Sequence, residues 1–206
     1  MTSTGKVEGD APLRLFLALR LPATVLDALE RWVGDELSAG AVHGVRTVPR
    51  EHLHVTLAFL GARPASELPA IVDALGDTAA GSDPVELEPT GYRETRSVGM
   101  VVLRDHAGAA GRLAADLHDR LEQLGVYRRE AREWLPHMTV LRFRNRPRLH
   151  PRTPTVGRFA PSDAAAFLSR LHPAGARYEV LEAVPLGGVA GAAGEKPAGG
   201  ETERMR

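Results

Sequence analysis

The 206-residue chain has no cysteine. That excludes disulfides, thiolate zinc sites, iron–sulfur clusters and a cysteine nucleophile. No apolar run approaches the ~18 residues of a membrane span, and Met1–Asp10 lacks the apolar core of a secretory signal. Charge of one sign is missing as well: Lys plus Arg and Asp plus Glu number 26 each. No global field therefore draws in nucleic acid or an anionic membrane, and a phosphate-bearing partner must be held by a local patch. The signatures GxxxxGK(S/T), GxGxxG after a strand, GxSxG and HExxH are all absent. ATP-dependent ligation has no visible apparatus. The expectation is a soluble, cytoplasmic monomer without a membrane partner.

What is present is an ordinary globular composition, 43% hydrophobic and 25% charged, with room for one domain or two small lobes sharing a core. Residues 1–10 are small and polar, and residues 187–206 are dominated by glycine, alanine and charge. Both are expected to be disordered tails flanking one folded domain over 11–186. Within it two periodicities alternate. Strands are predicted at Leu13–Leu19, Val45–Val48, Leu53–Leu60, Val85–Leu87, Val98–Leu103, His137–Phe143, Ala165–Leu171 and Tyr178–Val184. Helices are predicted from Pro22 to Leu37, over Ser66–Ala79, and over Ala109–Leu124, the last stopping at Gly125. The order β-α-β-β-α-β-β-α-β-β-β implies an α+β fold with helices covering one face of antiparallel sheet.

One self-similarity stands out. LHVTLAF (Leu53–Phe59) and PHMTVLRF (Pro136–Phe143) each contain His-x-Thr followed by an aliphatic residue, and each closes a half of the chain. That suggests two related lobes. On a strand, residues i and i+2 share a face, so His54 pairs with Thr56 and His137 with Thr139. If a pseudo-twofold relates the lobes, the pairs face each other across a groove. Such a site holds two imidazoles that exchange protons near neutral pH and two hydroxyls that bond phosphate oxygens. Hydrolysis of a cyclic phosphodiester needs those functions: one imidazole activates water while the other protonates the departing alkoxide. A single His-x-Thr is most often structural; two copies on similar alternating strands are not expected by chance.

At these residues the chain resembles the 2H phosphoesterases, in particular the RNA 2′,3′-cyclic phosphodiesterases formerly called 2′-5′ RNA ligases. The resemblance rests on RLFLALRLP (Arg14–Pro22), HLHVTLAFLG (His52–Gly61), WLPHMTVLRF (Trp134–Phe143) and FLSRL…RYEVL (Phe167–Leu181). It implies a bilobal α+β fold, two pseudo-twofold-related lobes with a central cleft, no metal and no cofactor. The implied partner is RNA or an oligonucleotide with a 2′,3′-cyclic phosphate end, opened to a 2′-phosphate, with reversible 2′-5′ ligation in some members. Carried over by motif, His54 is the proton donor and His137 the proton acceptor, although spacing alone does not divide those roles. Thr56 and Thr139 match the phosphate-holding positions. Arg142 matches an arginine near the phosphate, yet on a regular strand it has the parity of Met138 and points away from His137; only a bulge or the strand's end re-aims it. Phe59 takes the equivalent place after His54 as a base-stacking candidate, while its parity with Val55 and Leu57 favours core.

The remaining candidates are less specific. His52 has the parity of His54, but residues 55–61 offer no Asp, Glu or His to complete a metal site. His118 falls on a leucine-spaced helix and is expected to face solvent. Between Arg128 and Arg158 stand nine arginines against two acids, a patch suited to phosphate or simply a solvated loop. Tyr92, Trp134 and Tyr178 are candidate stacking aromatics with core packing as the rival explanation. Two other functions stay open: a cyclic phosphodiesterase acting on small nucleotides of the ADP-ribose cyclic phosphate type, and a non-catalytic module that binds RNA ends.

Overall fold

Leucines at 13, 15, 17 and 19 alternate with Arg14, Phe16 and Ala18, so the first strand has two different faces. In the computed structural model, which describes residues 11–37, 44–170, 172 and 175–187, that strand is β1 (Pro12–Arg20), the centre of one half-sheet. The chain continues through α1 (Ala23–Trp32), β2 (Val45–Thr47), β3 (His54–Pro64), α2 (Leu68–Ala80), β4 (Glu86–Glu94), β5 (Val98–His106), α3 (Ala109–Gln123), β6 (His137–Phe143), β7 (Asp163–Arg170) and β8 (Arg177–Val184). The predicted order of eight strands and three helices is the observed one among the described residues. The strand predicted as Val85–Leu87 runs on to Glu94 because a bulge absorbs the break at Pro89-Thr90-Gly91. The tails expected at 1–10 and 187–206 fall outside the described residues, apart from Gly187. Its N–H donates to the Ala79 carbonyl at 2.6 Å.

The strands form one antiparallel path, β4-β5-β6-β3-β1-β7-β8, with β2 paired to β6. The path divides into two halves, β3-β1-β7-β8 and β4-β5-β6 with β2. They meet at a narrow seam where β3 and β6 register only through Val55 and Met138. Beyond it β2 takes over the edge of β6, with Thr47 opposite Leu141 and Val45 opposite Phe143. The bilobal α+β architecture is thus present as two half-sheets joined by one pair of residues.

One face of the sheet carries the main core. Leu15, Leu17 and Leu19, Val55 and Leu57, Val101 and Leu103, and Met138 and Val140 pack with Leu29 of α1, Ile71 and Leu75 of α2, and Leu113, Leu117 and Leu121 of α3. Asp105 starts α3 from the preceding strand: its carboxylate accepts from the backbone N–H groups of Ala110 (3.2 Å) and Gly111 (2.7 Å), which would otherwise lack partners at a helix start. The opposite face carries a small aromatic cluster, Phe16, Ala18, Ala165 and Phe167 with Tyr178 against it. This face, free of α2 and α3, holds the site.

Candidate active site

The seam sets the site's symmetry. With Val55 opposite Met138 and both side chains buried, the flanking residues turn to the other face. In an antiparallel ladder His54 then lies opposite Thr139, and Thr56 opposite His137. The two histidines occupy one diagonal and the two threonines the other, a relation that in a regular antiparallel pair sets residues about 7–8 Å apart, their Cβ atoms somewhat closer. The His-x-Thr pairs therefore sit on adjacent strands, one from each half-sheet, where the two halves meet.

The imidazoles are oriented alike. His54 Nδ1 lies 2.7 Å from the carbonyl of His52, and His137 Nδ1 lies 2.8 Å from the carbonyl of Leu135. A carbonyl only accepts, so each Nδ1 is the protonated nitrogen and each Nε2 is left for chemistry. In His54 that nitrogen accepts from the Thr56 hydroxyl at 3.0 Å. Below the ring, Phe16 (centroids 4.9 Å apart) and Phe167 (6.0 Å) form an apolar floor, and Tyr178 meets it edge-on at 5.7 Å. Burial pulls the His54 pKa down to about 4; the bond to the His52 carbonyl opposes this, while the positive charges of Arg142, His137 and His52 add to it. His54 is therefore neutral at pH 7.

Two bulges shape the rest. Along β3 the register steps from Thr56–Ala18 to Ala58–Leu17, making Leu57 the extra residue. Along β6 it steps from Thr139–Met100 to Leu141–Gly99, making Val140 the extra residue. Each bulge lies three residues after its histidine, and each reverses the parity of the strand beyond it. This corrects the placement of Phe59 with Val55 and Leu57: it is 51% exposed on the site face, with the Arg14 guanidinium 4.7 Å above its ring. The β6 bulge likewise supplies the re-aiming that Arg142 required. Phe59 and Arg142 are thus equivalent positions at opposite ends of the seam.

The β3 bulge also explains two residues read differently from sequence. His118, expected to face solvent, is buried at 6% exposure, and its Nε2–H donates to the Leu57 carbonyl at 2.9 Å. It shares the helix face of Ala114, Leu117 and Leu121, and the bulge gives it a partner there. The Trp134 indole N–H donates to the Thr56 carbonyl at 3.0 Å. Backbone carbonyls that a regular ladder would occupy are satisfied from α3 and from the approach to β6.

A cleft of about 890 Å³ opens on this face, lined among others by Arg14, Arg46, His54, Thr56, Phe59 and Arg142. His137 and Thr139 are not among the lining residues; they adjoin it on the neighbouring strand. His52 and Tyr178 line it too, their rings 4.4 Å apart, whereas Tyr92 lies elsewhere and donates to Glu94. Of the nine arginines between 128 and 158, only Arg142 reaches the cleft. Arg129, Arg132, Arg146, Arg152 and Arg158 are held by Asp119, Glu130, Glu94, Glu36 and Glu86. The arginine-rich stretch is largely neutralised, and the cleft draws its cations from β1, β2, β6 and β8: Arg14, Arg46, Arg142 and Arg177. Sequence reasoning missed Arg14, although its alternation with the leucines of β1 marks its face. Nothing in the sequence signals Arg46 or Arg177. Among the described residues no three His, Asp or Glu side chains converge as a metal site, and no helix is long and apolar enough to cross a membrane.

Two histidines and two hydroxyls on one patch of sheet, between half-sheets joined at a seam, define a 2H phosphoesterase. Residues 22–175 match the family model of the 2′-5′ RNA ligase superfamily, and the chain belongs to that family. It is 35% identical over 204 residues to the RNA 2′,3′-cyclic phosphodiesterase of Thermus thermophilus, covering 91% of this chain and all of that one. It is 29% identical over 186 residues to the protein of that name from Methanothermobacter thermautotrophicus, covering 84% and 99%. The crystal structure of TT0787 of Thermus thermophilus superposes with a TM-score of 0.71 at 29% identity, over 86% of this chain and all of that one. E. coli LigT in its apo form shares the fold, with a TM-score of 0.69 at 24% identity over 85% and 99% of the two chains.

Proposed function

We propose that this protein hydrolyses 2′,3′-cyclic phosphate ends of RNA to 2′-phosphomonoesters without a cofactor, by proton exchange between His54 and His137. The observation that carries the reading is the Val55–Met138 register, which gathers both imidazoles and both threonine hydroxyls on one face. The activity in the names of the Thermus and Methanothermobacter relatives supports it.

In the hydrolytic step His137 Nε2 takes a proton from water as the water oxygen bonds to phosphorus. The bond from phosphorus to the ribose 3′ oxygen breaks, and His54 Nε2–H delivers a proton to that oxygen. Thr56 and Thr139 donate to the phosphoryl oxygens as negative charge builds on them. One proton enters His137 and one leaves His54, so the pair resets by exchange with solvent. Attack by a ribose 5′-hydroxyl in place of water gives a 2′-5′ linkage through the same groups. His54 must carry a proton before this step, and burial beside cations opposes it. The phosphodiester anion supplies the compensation: seated between His137 and His54, it offsets the positive charge, that of Arg142 included, that disfavours the imidazolium. Protonation of Nε2 also frees the Thr56 hydroxyl hydrogen for a phosphate oxygen. Substrate binding and protonation of His54 are linked events.

The test is incubation of an oligonucleotide bearing a 2′,3′-cyclic phosphate in the presence of EDTA. The expected product is the 2′-phosphate, formed undiminished by the chelator. No turnover, or a 3′-phosphate product, overturns the reading.

A further inference from the structure

The seam's pseudo-twofold is chemically broken, and the break gives the cleft a direction. At one end, on β3 past its bulge, stands Phe59 with Arg14 above its ring. At the other, on β6 past its bulge, stands Arg142, and directly opposite it on β2 is Arg46. Registered partners in an antiparallel pair share a face, and like charges so placed repel. Neither guanidinium has a carboxylate partner among the described residues. Arg20, Arg50, Arg63, Arg112 and Arg120 elsewhere each hold one. Among the described residues Glu51 is the one acid that lines the cleft. A pair of facing, uncompensated arginines is a site suited to an anion.

That anion is a second one. The reacting phosphate belongs at the diagonal of His54 and His137, beside the Val55–Met138 pair. Arg142 lies four residues past Met138 but only three ladder steps, because Val140 is bulged, which is about 10 Å along the strand. The reach of its side chain explains its electrostatic effect on His54. Arg46 stands on β2, which follows β3 along the same edge of β6 beyond the seam, so a phosphate held at Arg46 lies further along the cleft than the one being hydrolysed. The cleft's volume is near the upper end for ligand sites, large enough for more than one nucleotide unit.

Resting on the reading above, we infer that Arg46, with Arg142 as its neighbour, binds the phosphodiester on the 5′ side of the cyclic terminus while the terminal base lies over Phe59 and Arg14. Arg46 thereby makes the protein an enzyme of oligonucleotide ends in preference to cyclic mononucleotides. Its bidentate guanidinium suits a non-bridging phosphate edge, and it is a specificity residue because it touches only substrate that carries an upstream phosphate.

The experiment compares wild type, Arg46→Gln and Arg46→Lys on two substrates: a nucleoside 2′,3′-cyclic phosphate with a free 5′-hydroxyl, and a dinucleotide ending in the same cyclic phosphate. Wild type is expected to prefer the dinucleotide. Arg46→Gln is expected to lose about 10- to 100-fold in kcat/KM on the dinucleotide, the scale of one charged hydrogen-bonded contact. On the nucleoside it should stay within about twofold, which also reports that the variant is folded. Arg46→Lys should fall between. The slope of log KM against log salt for the dinucleotide should drop by about 0.7 in Arg46→Gln. Equal losses on both substrates, no loss on either, or a wild type indifferent to the upstream phosphate would each overturn the inference. Should wild type open neither substrate, the hydrolytic reading fails. The subsite is then judged by equilibrium binding of the same two molecules: an affinity gap abolished by Arg46→Gln supports it, and no gap refutes it.

Discussion

Lowering the pH should unfold this protein partly through one side chain. His54 has a pKa of about 4 in the fold against 6.5 for the ordinary group. Between those values the unfolded chain holds a proton that the native state refuses, so stability falls as pH drops. The sign follows from the depression: the contribution is complete above about pH 6.5 and is lost on the way down to about pH 4. The full span is worth about 3 kcal/mol, and at pH 5 about 2 kcal/mol is already gone. The assay is urea denaturation at pH 7.5, 6 and 5 for wild type and His54→Gln. The variant forfeits the bonds to His52 and Thr56, so its absolute stability falls at every pH; the quantity read is the slope. Wild type should lose about 2 kcal/mol more than His54→Gln between pH 7.5 and pH 5. Parallel pH dependences would refute the claim that burial above Phe16 and Phe167 keeps this imidazole neutral.

Inorganic phosphate should reverse the same shift. By NMR titration the His54 pKa is expected to rise when phosphate fills the site, with phosphate binding correspondingly tighter at lower pH; an unchanged pKa would contradict their linkage. Phe59→Ala should weaken substrate binding by about 1–3 kcal/mol, the worth of one stacked base, and leave the denaturation midpoint nearly unchanged because the ring is half exposed. His118→Leu leaves the Leu57 carbonyl without its donor and should cost about 1–3 kcal/mol in stability by urea melts. Glu94→Ala should cost at least as much. Its buried carboxylate accepts from Arg146, Tyr92 and the N–H groups of Arg148 and Leu149. Despite burial, the Leu149 N–H foremost, then Arg146 and the Arg148 N–H, hold it below the ordinary carboxylate range.

The elements were legible because the chain's two periods are clean. LHVTLAF alternates, Leu113, Leu117 and Leu121 recur at helical spacing, and Gly125 ends α3 in the left-handed region at φ 70°. Repetition of His-x-Thr also pointed to the four polar residues on the two strands that meet at the seam. What parity alone cannot read is a bulge: Leu57 and Val140 are ordinary aliphatic residues, and nothing in their identity says that each adds a residue to its strand. Yet those two insertions decide where Phe59 and Arg142 point. Counting charge along the chain misled for a related reason. The arginines between 128 and 158 find carboxylates far away in sequence, such as Glu36 and Glu94. The cleft's own cations come singly from four strands that only the fold assembles. His118 shows the same limit, since its partner is a carbonyl 61 positions away.

The central claim is that two imidazoles on adjacent strands serve one phosphorus, and single-turnover hydrolysis of a cyclic-phosphate oligonucleotide by His54→Ala, His137→Ala and the double variant tests it most directly. Each single change should slow the chemical step by about 10²–10⁴-fold. The double variant should be little slower than the worse single one, because groups that act as a unit are not additive. Wild-type rates in the double variant, or losses that simply multiply, would contradict it.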